Sequence, residues 1–311
     1  MRSLIAGLVV LAIFLSSGTL AMLTGAANGL LGDAFSNGNN SYATDTLNPP
    51  TVLAATSGTS ITLTWTATAD TYAGGHRLLR ATSSGGPYSQ IAEITPRTIT
   101  TYADNPPAAG TYYYVARAFY GNWESPNSNE APALLQSTTG FRDCSTTGAV
   151  TVSSGDNDGF QTNPGGACGD GGGYAEDTNS GTGNPDTCSS VTKDRHLFYD
   201  FGFIIPAGST INGVEVRLDA WADQTSFGPF MCVELSWNAG VAWTASKSTS
   251  VLTTTETIYT LGSSSDTWGV IWSASNFTNG NFRVRVADVS GFNGRDFRLD
   301  RVAVRITYTP P

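Results

Sequence analysis

Ser60-Ile61-Thr62-Leu63-Thr64-Trp65 alternates without a fault. Ile61, Leu63 and Trp65 fall on one side of an extended chain, and hydroxyls fall on the other. Side chains of a strand point to opposite faces in turn, so the stretch predicts a half-buried β-strand. The pattern returns at His76-Arg77-Leu78-Leu79-Arg80 and at Thr111-Tyr112-Tyr113-Tyr114-Val115-Ala116-Arg117-Ala118. It continues at Val214-Glu215-Val216-Arg217-Leu218-Asp219-Ala220, 231–237, 258–261, 282–286 and 302–308. Gly, Pro, Asn and Ser clusters separate the runs. Gly85-Gly86-Pro87 reads as a turn and Asn238-Ala239-Gly240 as a tight hairpin turn. No helical period of useful length competes. The expected fold class is all-β, built of sandwiches, because each apolar strand face needs a second sheet to cover it.

Length and composition agree. The 311 residues suggest about two domains at ~150 residues each. Hydrophobic residues make up 40% of the chain, enough for real cores, and charged ones only 13%. Ser, Thr, Asn and Gly must therefore cover the surface, a habit of extracellular β-proteins. Lys and Arg number 16 against 25 Asp and Glu, a formal net charge of −9. That balance opposes binding to nucleic acid, which requires a basic footprint.

The N-terminus reads as an export signal. Arg2 gives a basic start, residues 4–15 are apolar, and Thr19-Leu20-Ala21 offers a small-residue cleavage site. Residues 1–21 are expected to be a signal peptide and 22–47 a polar linker. The alternative is an uncleaved anchor, since the run extended to Leu23 approaches the ~20 residues that span a bilayer. With the leader cleaved, no membrane contact is expected, and the chain is placed as secreted or on the cell surface. Gly18-Thr19-Leu20-Ala21, Asn28, Asp33-Ala34-Phe35 and Asn37-Gly38 together resemble the leaders processed by SipW-type signal peptidases. Biofilm-matrix fibre proteins carry similar leaders.

Cys144, Cys168, Cys188 and Cys232 all lie beyond residue 140. An even count in an exported chain implies two disulfides, with three pairings open. A zinc site would want Cys-x-x-Cys or nearby histidines, and neither occurs.

Two units follow from the punctuation. Pro49-Pro50 opens the first, 48–135, and 136–140 is a short polar linker. The second, 141–311, begins with loops rich in Gly, Asn, Asp and Ser that the cysteines would staple. In the first unit, Trp65, the series Tyr112, Tyr114 and Ala118, and the closing Ser128-Asn129-Glu130 resemble a fibronectin type III domain. That resemblance implies a seven-stranded sandwich without a disulfide, used as a spacer or binding module and, in a few cases, attached to enzymes that degrade polysaccharides. In the second, 205–216, Leu235-Ser236-Trp237-Asn238-Ala239-Gly240 with Trp243-Thr244, and 297–304 resemble a jelly-roll-like domain of bacterial exported surface proteins. It is broadly similar to carbohydrate-binding modules and implies a larger jelly-roll-like β-sandwich.

Few residues suggest chemistry. His76 and His196, the chain's two histidines, have no partner pattern and read as surface or capping groups. No Gly-x-Ser-x-Gly elbow exists. Glu215 and Glu234 alternate with core positions, so both should point outward rather than form a glycosidase pair. Structural calcium is the cofactor considered. The loops supply Asp156, Asp158, Asp170, Asp177, Asn179 and Asp186, and hard cations take six to eight such oxygens. Asp300, between Leu299 and Val302, is a further metal candidate, with Arg298 or Arg301 as its possible partner instead. Trp221, outward by alternation, and Trp243, near a turn, are the candidate ligand-binding residues, because a flat ring covers the apolar face of a sugar. Trp268 and Trp272 also sit near turns. The expected function is a non-catalytic structural or adhesive protein of a surface layer or matrix. The alternative is a carbohydrate-binding protein, so the expected partners are other surface proteins or extracellular polysaccharide.

Overall fold

A computed structural model describes residues 46–150, 159–178, 187–189, 193–292 and 294–311. The expected leader, most of the linker, and Asp156, Asp158, Asn179 and Asp186 lie outside the described residues. The chain divides into two compact units, the first ending at Leu134 and the second running from Leu135 to Pro311 with 107–110 added.

The first unit is built from β1 (Thr51–Thr56), β2 (Ile61–Thr66), β3 (Gly75–Ala81), β4 (Ser89–Ile94), β5 (Thr101–Asp104), β6 (Gly110–Tyr120), β7 (Trp123–Glu124) and β8 (Ala131–Leu135). One sheet has the order β1-β2-β5. The other has β4-β3-β6-β7, with β8 also pairing β6. The alternation of β2 is realised fully: Ile61, Leu63 and Trp65 are buried and the threonines between them are exposed. Leu53, Leu78, Tyr112, Tyr114 and Ala116 complete the core. Leu47, read as linker, also packs inward, against Ala73, Ala118 and Trp123.

The second unit contains β9 (Ser137–Thr138), β10 (Arg142–Asp143), β11 (Thr146–Ala149), β12 (Ala175–Asp177), β13 (Arg195–Tyr199), β14 (Thr210–Ala222), β15 (Phe230–Ser236), β16 (Lys247–Ser248), β17 (Thr257–Gly262), β18 (Arg283–Val289) and β19 (Phe297–Thr309). One sheet runs β10-β19-β14-β17, with β9 and β12 also on β19; the other runs β11-β13-β18-β15-β16. Val214, Val216, Leu218 and Ala220 of β14 meet Val233, Leu235, Val284 and Val286 of the facing sheet in one core. Short helical turns at Pro164–Ala167 and Ala274–Phe277 add Ala167 and Phe277.

One detail differs from expectation. Asn238-Ala239-Gly240 is not a tight hairpin, because β15 ends at Ser236 and β16 begins only at Lys247. The turn there is instead held by side chains: Gly240 N donates to Ser236 Oγ, and Ala242 N donates to Asn238 Oδ1, both at 2.8 Å. Trp268 and Trp272 are core residues, 5% and 6% exposed.

The cysteines pair as Cys144–Cys168 and Cys188–Cys232, which settles the open connectivity. The first bond ties the start of the unit to the Pro164–Ala167 turn. The second ties the segment before β13 to β15. Among the described residues no helix is long and apolar enough to cross a membrane.

Candidate functional site

The outer face of the β10-β19-β14-β17 sheet concentrates the unit's polar chemistry. Alternation along β14 sends Val214, Val216, Leu218 and Ala220 inward and Glu215, Arg217, Asp219 and Trp221 outward. On β19 the period slips once. Asp219 faces Arg301 while the next residue, Ala220, already faces Leu299. Asp300 is the extra residue of that bulge, so Asp300 and Arg301 stand together between inward Leu299 and Val302. This explains the burial foreseen for Asp300, which is 6% exposed.

Ion pairs tile the face. Arg305 grips Glu215 with two bonds of 2.8 and 2.6 Å. Arg217 grips Asp219 on its own strand at 2.7 and 2.5 Å. Arg301 reaches Asp143 at 2.6 Å and Asp170 at 3.2 Å, and Arg298 reaches Glu176 at 2.8 Å. Asp300 takes neither arginine foreseen for it and accepts from Gly171 N at 3.3 Å. Partial burial, followed by the carboxylates of Asp300, Asp219 and Asp170, raises the pKa of Glu256 above the ordinary value.

Aromatic rings bound this lattice at both ends. The Arg305 guanidinium lies 4.5 Å over Phe141. At the other end Tyr174 stands edge-on to Trp221, ring centres 5.0 Å apart, with Arg298 beside Tyr174. Trp221 is thus outward, as alternation implies, but half-buried rather than exposed. Tyr174 was not foreseen, because 46 intervening positions separate it from Trp221 and only the folded loop brings them together.

Trp243 lies elsewhere. It stacks on Arg285 at 4.1 Å, and Arg285 pairs with Glu234 across β18 and β15. That is the outer face of the facing sheet, so the two candidate tryptophans sit on opposite sides of the sandwich and share no site. Glu215 and Glu234 are separated in the same way, and each is held by its own arginine.

The histidine reading is corrected. His76 is fully buried, and its Nδ1 accepts from Trp65 Nε1 at 3.0 Å. Burial lowers its pKa. His196, 2% exposed, packs against Phe160 and Phe198, and burial pushes its pKa down to about 4. Both occupy inward positions of strands whose consecutive apolar residues, Leu78-Leu79 and Leu197-Phe198, leave the register unmarked.

Asp177 is also fully buried, on the same side of β12 as core residue Ala175. Among the described residues no group of three or more His, Cys, Asp or Glu is placed to hold a metal ion. In the first unit an aromatic trio appears that sequence spacing hides. Tyr72 stacks on Trp123 at 6.3 Å and meets Tyr120 edge-on at 6.1 Å.

No protein-family model matches the chain, and no curated protein shows significant similarity to it. Among solved structures, a Fn3-like protein from Clostridium thermocellum is 38% identical over 29% of this chain and 93% of its own, with a TM-score of 0.26. A two-domain fibronectin type III segment of chicken tenascin is 12% identical over 79% of this chain and 94% of its own, TM-score 0.28. Pectate lyase Pel3 from Pectobacterium carotovorum is 20% identical over 32% of this chain and 33% of its own, TM-score 0.24. With β1, β2 and β5 in one sheet, β4, β3, β6 and β8 in the other, and Trp65, Tyr112 and Tyr114 between them, the first unit is a fibronectin type III-like sandwich.

Proposed function

We propose that the chain is a non-catalytic, secreted or cell-surface structural or adhesive protein. The first unit serves as spacer and the second as contact surface. The observation that carries this reading is the tiled outer face of the β10-β19-β14-β17 sheet. Its arginines and carboxylates are committed to one another in fixed pairs, an arrangement that offers a rigid, patterned surface to a partner. Two disulfides fit an oxidising, extracellular setting. The strand orders β10-β19-β14-β17 and β13-β18-β15-β16 support a jelly-roll-like connection for this unit.

A specific observation favours a second reading. Tyr174 and Trp221 form a half-exposed corner beside the Arg298–Glu176 pair, the combination of a flat ring and directional polar groups that suits a pyranose. The fluorescently labelled chain should bind intact bacterial cells. Loss of binding after protease treatment of the cells supports the first reading. Binding that survives protease but is abolished by Trp221→Ala, with a matching loss on a glycan array, supports the second. Turnover of any polysaccharide or peptide that tracks with the protein overturns both.

A further inference from the structure

Three buried tryptophans spend their polar group inside the protein. Trp65 Nε1 donates to His76 at 3.0 Å, Trp268 Nε1 to Val214 O at 2.8 Å and Trp272 Nε1 to Thr267 O at 2.7 Å. Trp123 differs. It is only half-buried, on Leu47, Ala73 and Ala118, and among the described residues its indole N–H has no hydrogen-bond partner. Two tyrosines join it at one end of the first unit. Tyr72 is 40% exposed and Tyr120 43%. Tyr72 lies nearly parallel to Trp123, with 16° between the planes, and Tyr120 stands at 79° to Tyr72. The two exposed rings thus meet as floor and wall of one corner.

Two turns hold the rings in place. Tyr120 and Trp123 face each other across β6 and β7, joined by Gly121-Asn122 alone. Gly121 has a φ of +57°, a left-handed conformation that residues with a side chain rarely adopt. Tyr72 sits on the connection from β2 to β3. There Ala73 N donates to Asp70 O at 3.1 Å and Gly74 N to Phe119 O at 2.8 Å. Asn48 Nδ2 donates to Asp70 Oδ1 at 3.1 Å, and Thr68 Oγ1 to Asn48 O at 2.7 Å. The backbone beside each ring is therefore fixed before any ligand arrives, which lowers the ordering cost of binding.

The charges around the corner cancel. Arg77 pairs with Glu93 at 2.9 Å and with Glu124 at 2.5 Å, and Arg117 pairs with Glu124 at 2.8 Å. Arg97 and Asp70 meet at Thr68, one through its carbonyl and the other through its hydroxyl. Among the described residues, three guanidiniums here stand against three carboxylates. Such a rim gives no net attraction to a phosphate or a uronate, and the net charge of −9 opposes an anionic polymer at longer range. A bilayer is matched poorly, because the exposed rings are phenols rather than phenyl or aliphatic groups. A proline-rich peptide docks in a groove between aromatic rings. Tyr72 and Trp123 are 6.3 Å apart, less than the ~7 Å that two van der Waals contacts require. What fits is a neutral ligand with a flat apolar face and hydroxyls at its edge.

We propose that Tyr72, Tyr120 and Trp123 form a binding site for a neutral polysaccharide. One pyranose lies face-down on Tyr72 with its edge against Tyr120. The Trp123 indole N–H and the Tyr120 hydroxyl supply the directional contacts to its hydroxyls. The first unit is then more than a spacer. The site is independent of the Tyr174–Trp221 corner, which belongs to the other unit, and it stands whether or not that corner binds a sugar.

Affinity electrophoresis of the full chain in native gels tests this. Hydroxyethyl cellulose, mixed-linkage β-glucan and galactomannan serve as neutral polymers, and polygalacturonate as the anionic control. At least one neutral polymer should retard the wild type. Tyr72→Ala and Tyr120→Ala should each weaken that binding about tenfold and leave the first unit folded, as its unfolding transition checks. Tyr72→Trp keeps a flat ring and should keep binding. Trp221→Ala should bind as the wild type does. Retardation by none of the neutral polymers overturns the proposal, and so does retardation by polygalacturonate alone. Binding lost in Trp221→Ala but kept in both tyrosine variants also overturns it and assigns the sugar to the second unit. Capture of a polyproline peptide that depends on Tyr72 and Tyr120, with no neutral polymer bound, would make the corner a peptide site instead.

Discussion

The two units solve the same packing problem with different means. The first closes its sandwich on aliphatic and aromatic side chains, without a cysteine. Its innermost polar contact is fully satisfied: Tyr114 Oη donates to Asp104 at 2.8 Å while Arg80 holds the same carboxylate at 2.9 and 3.1 Å. The second carries long loops, two disulfides and buried carboxyls. The absence of cysteine from residues 48–135 makes the first unit indifferent to redox state. Covalent staples make the second dependent on its surroundings. The contrast teaches that alternation alone suffices where loops are short, and that long Gly-rich loops need covalent constraint to be held in place.

Reduction should break the contrast most visibly. Removing a native disulfide costs ~2–5 kcal/mol, so dithiothreitol should lower the unfolding midpoint of the second unit and leave that of the first unchanged in calorimetry. Equal shifts in both would show that the units unfold as one. Tyr114→Phe probes the first unit's buried network. It removes a hydrogen bond to a charged group, and a loss of ~1.5–3 kcal/mol is expected in the first unit's denaturant midpoint only. The smallest effects concern the two tryptophans. Trp243→Ala removes a half-exposed stack on Arg285 and should cost ~0.5–1 kcal/mol. Combined with Trp221→Ala it should add within ~0.3–0.5 kcal/mol, because residues on opposite faces share no partner. A larger coupling in that double-mutant cycle would contradict their separation.

Much of the fold is legible in short stretches. The outward direction of Trp221, Glu215 and Glu234, and the inward direction of Ile61, Leu63 and Trp65, follow from a period of two. The site is less legible. Asp300 defies simple alternation because a bulge inserts one residue. His76 and His196 are inward although polar. In the first case the reason is a specific acceptor role toward Trp65; in the second, aromatic neighbours surround the ring. Tyr174 joins Trp221, and Tyr72 joins Trp123, through loops whose paths no local pattern encodes.

What the amino-acid order determined by itself is the set of strands, their apolar faces, the division into two sandwiches and the presence of paired cysteines, because these depend on neighbours within a few positions. Which cysteines join, on which of the two sheets Trp221 and Trp243 lie, and which polar side chains the core encloses were decided only in three dimensions. Those outcomes depend on how strands from distant parts of the chain are ordered across two sheets, and strand order is a property of the closed sandwich rather than of any segment.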